Sequence, residues 1–129
     1  MIAGTIHEAA HILCVLFLGG SVQEINIGFR SAVIRATLSD PFSEFISIFA
    51  GPVSSFCLFF FRGIFPELAI CGVIQGVYNT LPILPLDGGH MLQLLLLQWI
   101  PEKADSVLYG ISKIVIFIII SFSTLLLFR

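Results

Sequence analysis

The amino-acid sequence predicts an all-α membrane protein: about four transmembrane helices, the third broken, with a short membrane-associated β-hairpin between the first two. Three observations carry this. Of the 129 residues, 57% are hydrophobic and 11% charged, and mean hydropathy is +1.06; a soluble domain carries roughly 25% charged residues. Stretches near the ~20 apolar residues that cross a ~30 Å hydrocarbon core recur along the chain. The stretch 66–100 is interrupted in its middle by Pro82, Pro85, Gly88 and Gly89. A net charge of −2 leaves no basic footprint, which argues against nucleic acid as a partner and for the lipid bilayer. The length allows one domain, 1–129, with a core over 1–100 and an additional C-terminal helix over 106–128.

The first apolar stretch, 1–18, ends at Gly19-Gly20, a natural helix stop. It lacks the basic start and small-residue cleavage site of a signal peptide and holds His7, Glu8 and His11, so it reads as structure. In the segment that follows, Ile25, Ile27 and Phe29 alternate with Glu24, Asn26 and Gly28, and 32–38 is rich in β-branched residues. That pattern predicts the hairpin. The second span opens at Asp40-Pro41, an N-cap followed by proline at the first helical position, and runs to Arg62.

As one straight helix, 66–100 would reach about 52 Å, far beyond a bilayer core. Two half-helices, 67–78 and 88–99, joined by a bend are expected instead. Broken backbone at membrane depth is tolerated where it is buried in protein or lines a wet cavity, so the break marks a site. Arg30, Arg35, Lys103 and Lys113 fall on one side of a four-span arrangement and Arg62 and Arg129 on the other, a bias that places the hairpin in the cytoplasm. Gly72/Gly76 and Ala50/Ser54 are small-residue pairs suited to close helix contact. Trp99 reads as an interface anchor, the phenylalanines of 56–61 as lipid-facing, and Cys14, Cys57 and Cys71 as small hydrophobes.

Ionisable side chains inside a span are costly, and each is a functional hypothesis. His7-Glu8-Ala9-Ala10-His11 is an H-E-x-x-H run. On a helix, residues i and i+4 share one face, so two imidazoles can reach one Zn²⁺, with Glu8 beside them to take a proton from water. A polar packing pair and a haem or other metal ligand set are alternatives. Two histidines need a third protein ligand. The candidate is Asp87, the one carboxylate between Glu67 and Glu102, whose alternative role is the N-cap of the half-helix starting at Gly88.

The HEAAH run, followed about 70 residues later by NTLPILPLDGG over 79–89, resembles the site-2 protease family of intramembrane zinc metalloproteases, in its compact bacterial type. The family pattern pairs H-E-x-x-H with an N-x-x-P-x-x-x-L-D-G-G-like segment, and Ala50-Gly51-Pro52 is also common in it. The resemblance covers residues 1 to about 100. It implies His7, His11 and Asp87 as ligands of one zinc ion per chain, Glu8 as general base, and Asn79 near the substrate backbone or the developing oxyanion; a helix C-cap is the other reading of Asn79. His90 is expected in a packing or supporting role rather than as a fourth ligand. One departure is that only six residues precede His7, where the family's first core helix extends further upstream. A short native start or an N-terminally incomplete sequence is expected.

The resemblance implies a zinc-dependent intramembrane endopeptidase acting in regulated intramembrane proteolysis. It would be an integral multi-pass protein of a bacterial cell membrane, cutting membrane-embedded or membrane-associated substrates, with room for a regulatory membrane partner. The hairpin edge over 25–29 is expected to hold an unwound substrate by strand pairing. The rival class is a non-catalytic membrane protein: a metal-binding, transport or scaffold protein. A transporter is expected to show repeats and two comparable broken helices, whereas a single broken stretch is present.

Overall fold

The computed structural model describes residues 2–27, 32–38 and 40–128. It holds five α-helices and one pair of strands: α1 (Ile2–Phe17), β1 (Ser21–Ile27), β2 (Ala32–Thr37), α2 (Pro41–Cys57), α3 (Pro66–Asn79), α4 (Asp87–Trp99) and α5 (Ala104–Leu127). These divide into two compact units, 1–79 and 80–129.

The expected fold class needs correction in its membrane count. Among the described residues, two helices rather than four are long and apolar enough to cross a bilayer: Pro41–Phe61 and Pro101–Leu127. The reason is length. The 16 residues of α1 reach about 24 Å at 1.5 Å per residue, short of a ~30 Å core. The broken third stretch is two separate short helices, of 14 and 13 residues. The membrane-associated hairpin is not established either. What the structure holds is an antiparallel ladder from Ser21↔Thr37 to Ile27↔Ala32, irregular between Val22 and Glu24. Residues 28–31, where the turn was placed, lie outside the described residues, and with them Arg30 and the last two positions, Gly28 and Phe29, of the expected substrate-pairing edge 25–29.

In the first unit, α1 ends where its glycines dictate. Gly19 adopts φ +75°, a left-handed conformation open to glycine at no steric cost. The Gly20 N–H then bonds the Val15 carbonyl at 2.9 Å and the Gly19 N–H the Leu16 carbonyl at 3.1 Å, satisfying carbonyls the helix leaves over. At the start of α2, the Asp40 carboxylate accepts from the Ser43 backbone N–H at 2.9 Å and from the Ser43 hydroxyl at 2.8 Å. The α2 axis continues as a 3₁₀ turn over Leu58–Phe61.

Helices α1, α2 and α3 pack on one another, and what they bury is small or polar: Ala3, His7 and Val15 from α1, Ser47, Gly51, Pro52 and Ser55 from α2, Ala69, Gly72 and Gly76 from α3. A Cβ on Gly72 would meet the Ser55 carbonyl and the Leu58 side chain, and one on Gly76 the Phe56 ring. The expected glycine pair of α3 thus makes the contact with α2. The buried face of α2 carries Ser47, Gly51 and Ser55, not the Ala50/Ser54 pair. The large apolar side chains point outward, Phe59, Phe60, Phe61, Ile70, Ile74 and Val77 among them.

In the second unit, residues 80–86 fold back over the start of α4. A Cβ on Gly88 would collide with the Thr80 carbonyl, and one on Gly89 with the backbone of Ile83 and Leu84. The Ser112 hydroxyl of α5 donates to the Pro82 carbonyl at 3.1 Å, and Gln93 of α4 donates to Asp105 at 3.1 Å. Ala104 and Leu108 are buried there, while α5 beyond residue 116 exposes apolar side chains on all faces, and Trp99 is exposed at the end of α4. Cys14, Cys57 and Cys71 are free thiols, the last two exposed.

The Asp40 cap makes a pH-dependent contribution to stability. The Ser43 N–H first, then the Ser43 hydroxyl, hold its carboxyl below the usual carboxylate range. The contribution is therefore complete above the ordinary value of about 3.9 and is lost as pH falls through the lowered folded value. Asp40→Ala is expected to lower the thermal midpoint at pH 7, with the gap to wild type closing below about pH 4. Asp40→Asn, a neutral cap, should keep most of the midpoint without the pH dependence; circular dichroism melts across pH in detergent check both.

Candidate metal centre

The H-E-x-x-H run lies in the middle of α1, facing α2. His7 is 1% exposed, a degree of burial that excludes a solvated role for its ring. A buried imidazole must have its nitrogens satisfied, and α2 supplies the partners. His7 Nδ1 lies 2.9 Å from the Ser55 hydroxyl, and His11 Nδ1 donates to the Ser47 carbonyl at 2.8 Å. The helices are antiparallel here, with the later histidine on the earlier serine. The Nδ1 atoms are drawn apart toward the two serines, and the Nε2 atoms converge to 3.2 Å, with the rings 84° from parallel.

Gly51, midway between the two serines, makes this possible. A Cβ there would overlap the His11 ring and press on His7 Cε1, so both imidazoles lie against bare α2 backbone. Pro52 follows. It has no N–H for the Ile48 carbonyl, and its ring disturbs the turn before it. The Ser47 carbonyl that His11 uses sits at the head of that turn. The Ser47 hydroxyl is occupied elsewhere, donating to the Glu44 carbonyl at 2.8 Å.

The donor set fits a zinc ion. Two nitrogens on a tetrahedral zinc at ~2.0–2.1 Å stand about 3.4 Å apart, against the 3.2 Å observed. Because a carbonyl can only accept, His11 Nδ1 carries the proton and its Nε2 offers a lone pair, the form a metal takes.

Of the residues singled out by sequence, the first unit brings together His7, His11 and Asn79. Asn79 ends α3 and holds its Nδ2 at 3.0 Å from His7 Nε2. Glu8 is half-buried beside His7 on α1. Asp87 belongs to the second unit, half-buried, and its reading as an N-cap is corrected: Leu86 holds the cap position and Asp87 is the first helical residue. His90, expected in a packing or supporting role, is exposed on α4, because α4 buries its glycine edge instead.

Sequence reasoning missed Ser47 and Ser55, and named Gly51 only within the Ala50-Gly51-Pro52 run, without its contact to the histidines. Their signal was present as small residues at i, i+4 and i+8, one stripe of a helix, facing an i, i+4 histidine pair on another.

The model of peptidase family M50 matches residues 42–122, well over half of the chain, and the chain belongs to that family, the site-2 protease family. The match takes in Asn79 and Asp87 and begins after the HEAAH run. A search of curated proteins finds no match.

Gly51→Ala is expected to push the imidazoles off α2 and reduce bound zinc from about one per chain toward none. Helix content should be retained. Gly63→Ala, where a Cβ meets open space, should bind as wild type; elemental analysis of purified protein with circular dichroism separates the two.

Proposed function

We propose that the protein is a zinc-dependent intramembrane endopeptidase, an integral multi-pass protein of a bacterial cell membrane. Its substrates would be peptide bonds of membrane-embedded or membrane-associated proteins, presented with or without a regulatory membrane partner. The observation that carries this is the convergence of His7 and His11 Nε2 at 3.2 Å with both Nδ1 atoms tied to α2, in a chain of family M50.

His7, His11 and Asp87 would hold the ion. Asp87 is supported by chemistry: a two-histidine site needs a further protein ligand, and this is the one carboxylate of 68–101, mounted on a helix start that two glycines seat against the 80–84 backbone. When bound, zinc supplies Lewis acidity, polarising a carbonyl and acidifying water. Glu8 takes the proton from the attacking water as the O–C bond forms and hands it to the leaving amine as the C–N bond breaks. The Asn79 carboxamide, 3.0 Å from His7 Nε2, is suited to donate to the oxygen of the tetrahedral intermediate, where a fixed donor in a dry site is most effective. The apolar exterior keeps bulk water away and admits a lipid-embedded substrate.

Glu8→Gln is expected to keep zinc and to lose cleavage of a model transmembrane substrate by about 10²–10⁴-fold; loss of zinc in that variant would contradict the role of general base. Asp87→Ala and His11→Ala are each expected to lose zinc from well-folded protein, measured by elemental analysis after lipid reconstitution. Full zinc in Asp87→Ala would remove Asp87 from the ligand set.

A further inference from the structure

We propose that the second unit carries a binding site for an anionic phospholipid: a cleft along α5 in which Lys113 meets the headgroup phosphate and apolar walls take the first part of an acyl chain. The inference rests on the chain lying in a bilayer and is independent of the metal site. Its starting point is a charge. Lys113 is the one charged residue between Asp105 and Arg129, in the segment Pro101–Leu127 that is long and apolar enough to cross a membrane. A charged group in such a segment is costly without a counter-charge. Among the described residues Lys113 has no carboxylate partner, and its ammonium lies over the Tyr109 ring, 4.3 Å from the centroid. The ring face lessens the cost and leaves the charge unneutralised.

The surroundings indicate what completes it. Lys113 and Tyr109 line a cleft of about 580 Å³ that Ile83 and Leu84 wall on the other side and that reaches Ile116, one turn further along α5. The ammonium turns back over a residue one turn earlier, as a lysine does when its stem lies in lipid and its head reaches for the membrane surface. The Ser106 and Tyr109 hydroxyls line the same cleft, on one helical stripe with Lys113, and are further donors. Beyond Lys113, residues 114–128 carry no charge. A cation and two hydroxyls above an apolar slot match a phosphate ester joined to an acyl chain.

The cleft also holds one carboxylate, Asp105. It is eight residues before Lys113, about 12 Å along the helix, where it accepts from Gln93. That distance exceeds the ~8 Å over which exposed charges act at physiological salt, so it does not cancel the attraction of Lys113 for an anion. The rival occupant is a partner helix carrying a carboxylate. A membrane-crossing helix is about 10 Å across and ~30 Å long, far larger than this cleft, whereas small-molecule sites of roughly 300–1,000 Å³ are its size.

The test uses the full chain reconstituted in phosphatidylcholine vesicles containing spin-labelled phosphatidylglycerol or spin-labelled phosphatidylcholine. Electron paramagnetic resonance reads the motionally restricted fraction of each. Wild type is expected to prefer phosphatidylglycerol, and Lys113→Gln to lower that preference about fivefold, the weight of one lysine beside anionic lipid. Lys113→Arg should keep it. Lys103→Gln, which removes the same charge outside the cleft, should change it far less. Equal losses in the two glutamine variants, or no preference in wild type, would overturn the site. A second measurement identifies the occupant. Benzoylphenylalanine in place of Ile116, irradiated in the membrane of the expressing cell, should gain the mass of a phospholipid; a cross-linked polypeptide would overturn the lipid reading in favour of a partner helix. Neither readout depends on zinc or on cleavage, so failure here leaves the protease reading standing.

Discussion

The structure depends on how closely α1 approaches α2 at Gly51. Two imidazoles cannot enter a helical core unless their nitrogens are satisfied and their volume is accommodated. A missing side chain on α2 meets the second need, and the groups one turn to either side meet the first. The Ser47 carbonyl and the Ser55 hydroxyl draw the Nδ1 atoms outward, which leaves the Nε2 atoms facing one another.

The distribution of residue types follows from the same arrangement. Small and polar residues lie between α1, α2 and α3, and the large hydrophobic ones point outward. In water this would be unstable, because burial of apolar area drives folding there. In lipid the apolar exterior costs nothing, and association rests on close backbone packing and interhelical hydrogen bonds. Gly51, Gly72 and Gly76 provide the packing, and the histidine–serine pairs provide the bonds.

Local chemistry was legible in the sequence where a short run of residues determines it. Gly19-Gly20 ends α1, Asp40-Pro41 starts α2, and the proline- and glycine-rich segment separates α3 from α4. The H-E-x-x-H spacing placed both histidines on one face. Properties set by a partner helix were not legible. Which stripe of α2 turns inward depends on where α1 places its rings, so the equally small Ala50/Ser54 pair was chosen over Ser47, Gly51 and Ser55. The span count failed because apolar composition does not distinguish a crossing helix from a short one packed beside it. Asp87 has the residue type of a cap, yet the helix begins at Asp87 itself and Leu86 holds the cap position.

The unequal spacing of the two helices has a mechanical consequence. The histidines are four residues apart on α1 and their anchors eight apart on α2, so the pair is held like a wedge spread from both ends. Sliding α1 along its neighbour by one residue, about 1.5 Å, would shorten one tether and stretch the other, and rotating it would drive a ring into the α2 backbone. The two helices are thus keyed to a single register. Any relative motion of the helices in this unit must therefore leave the pair intact.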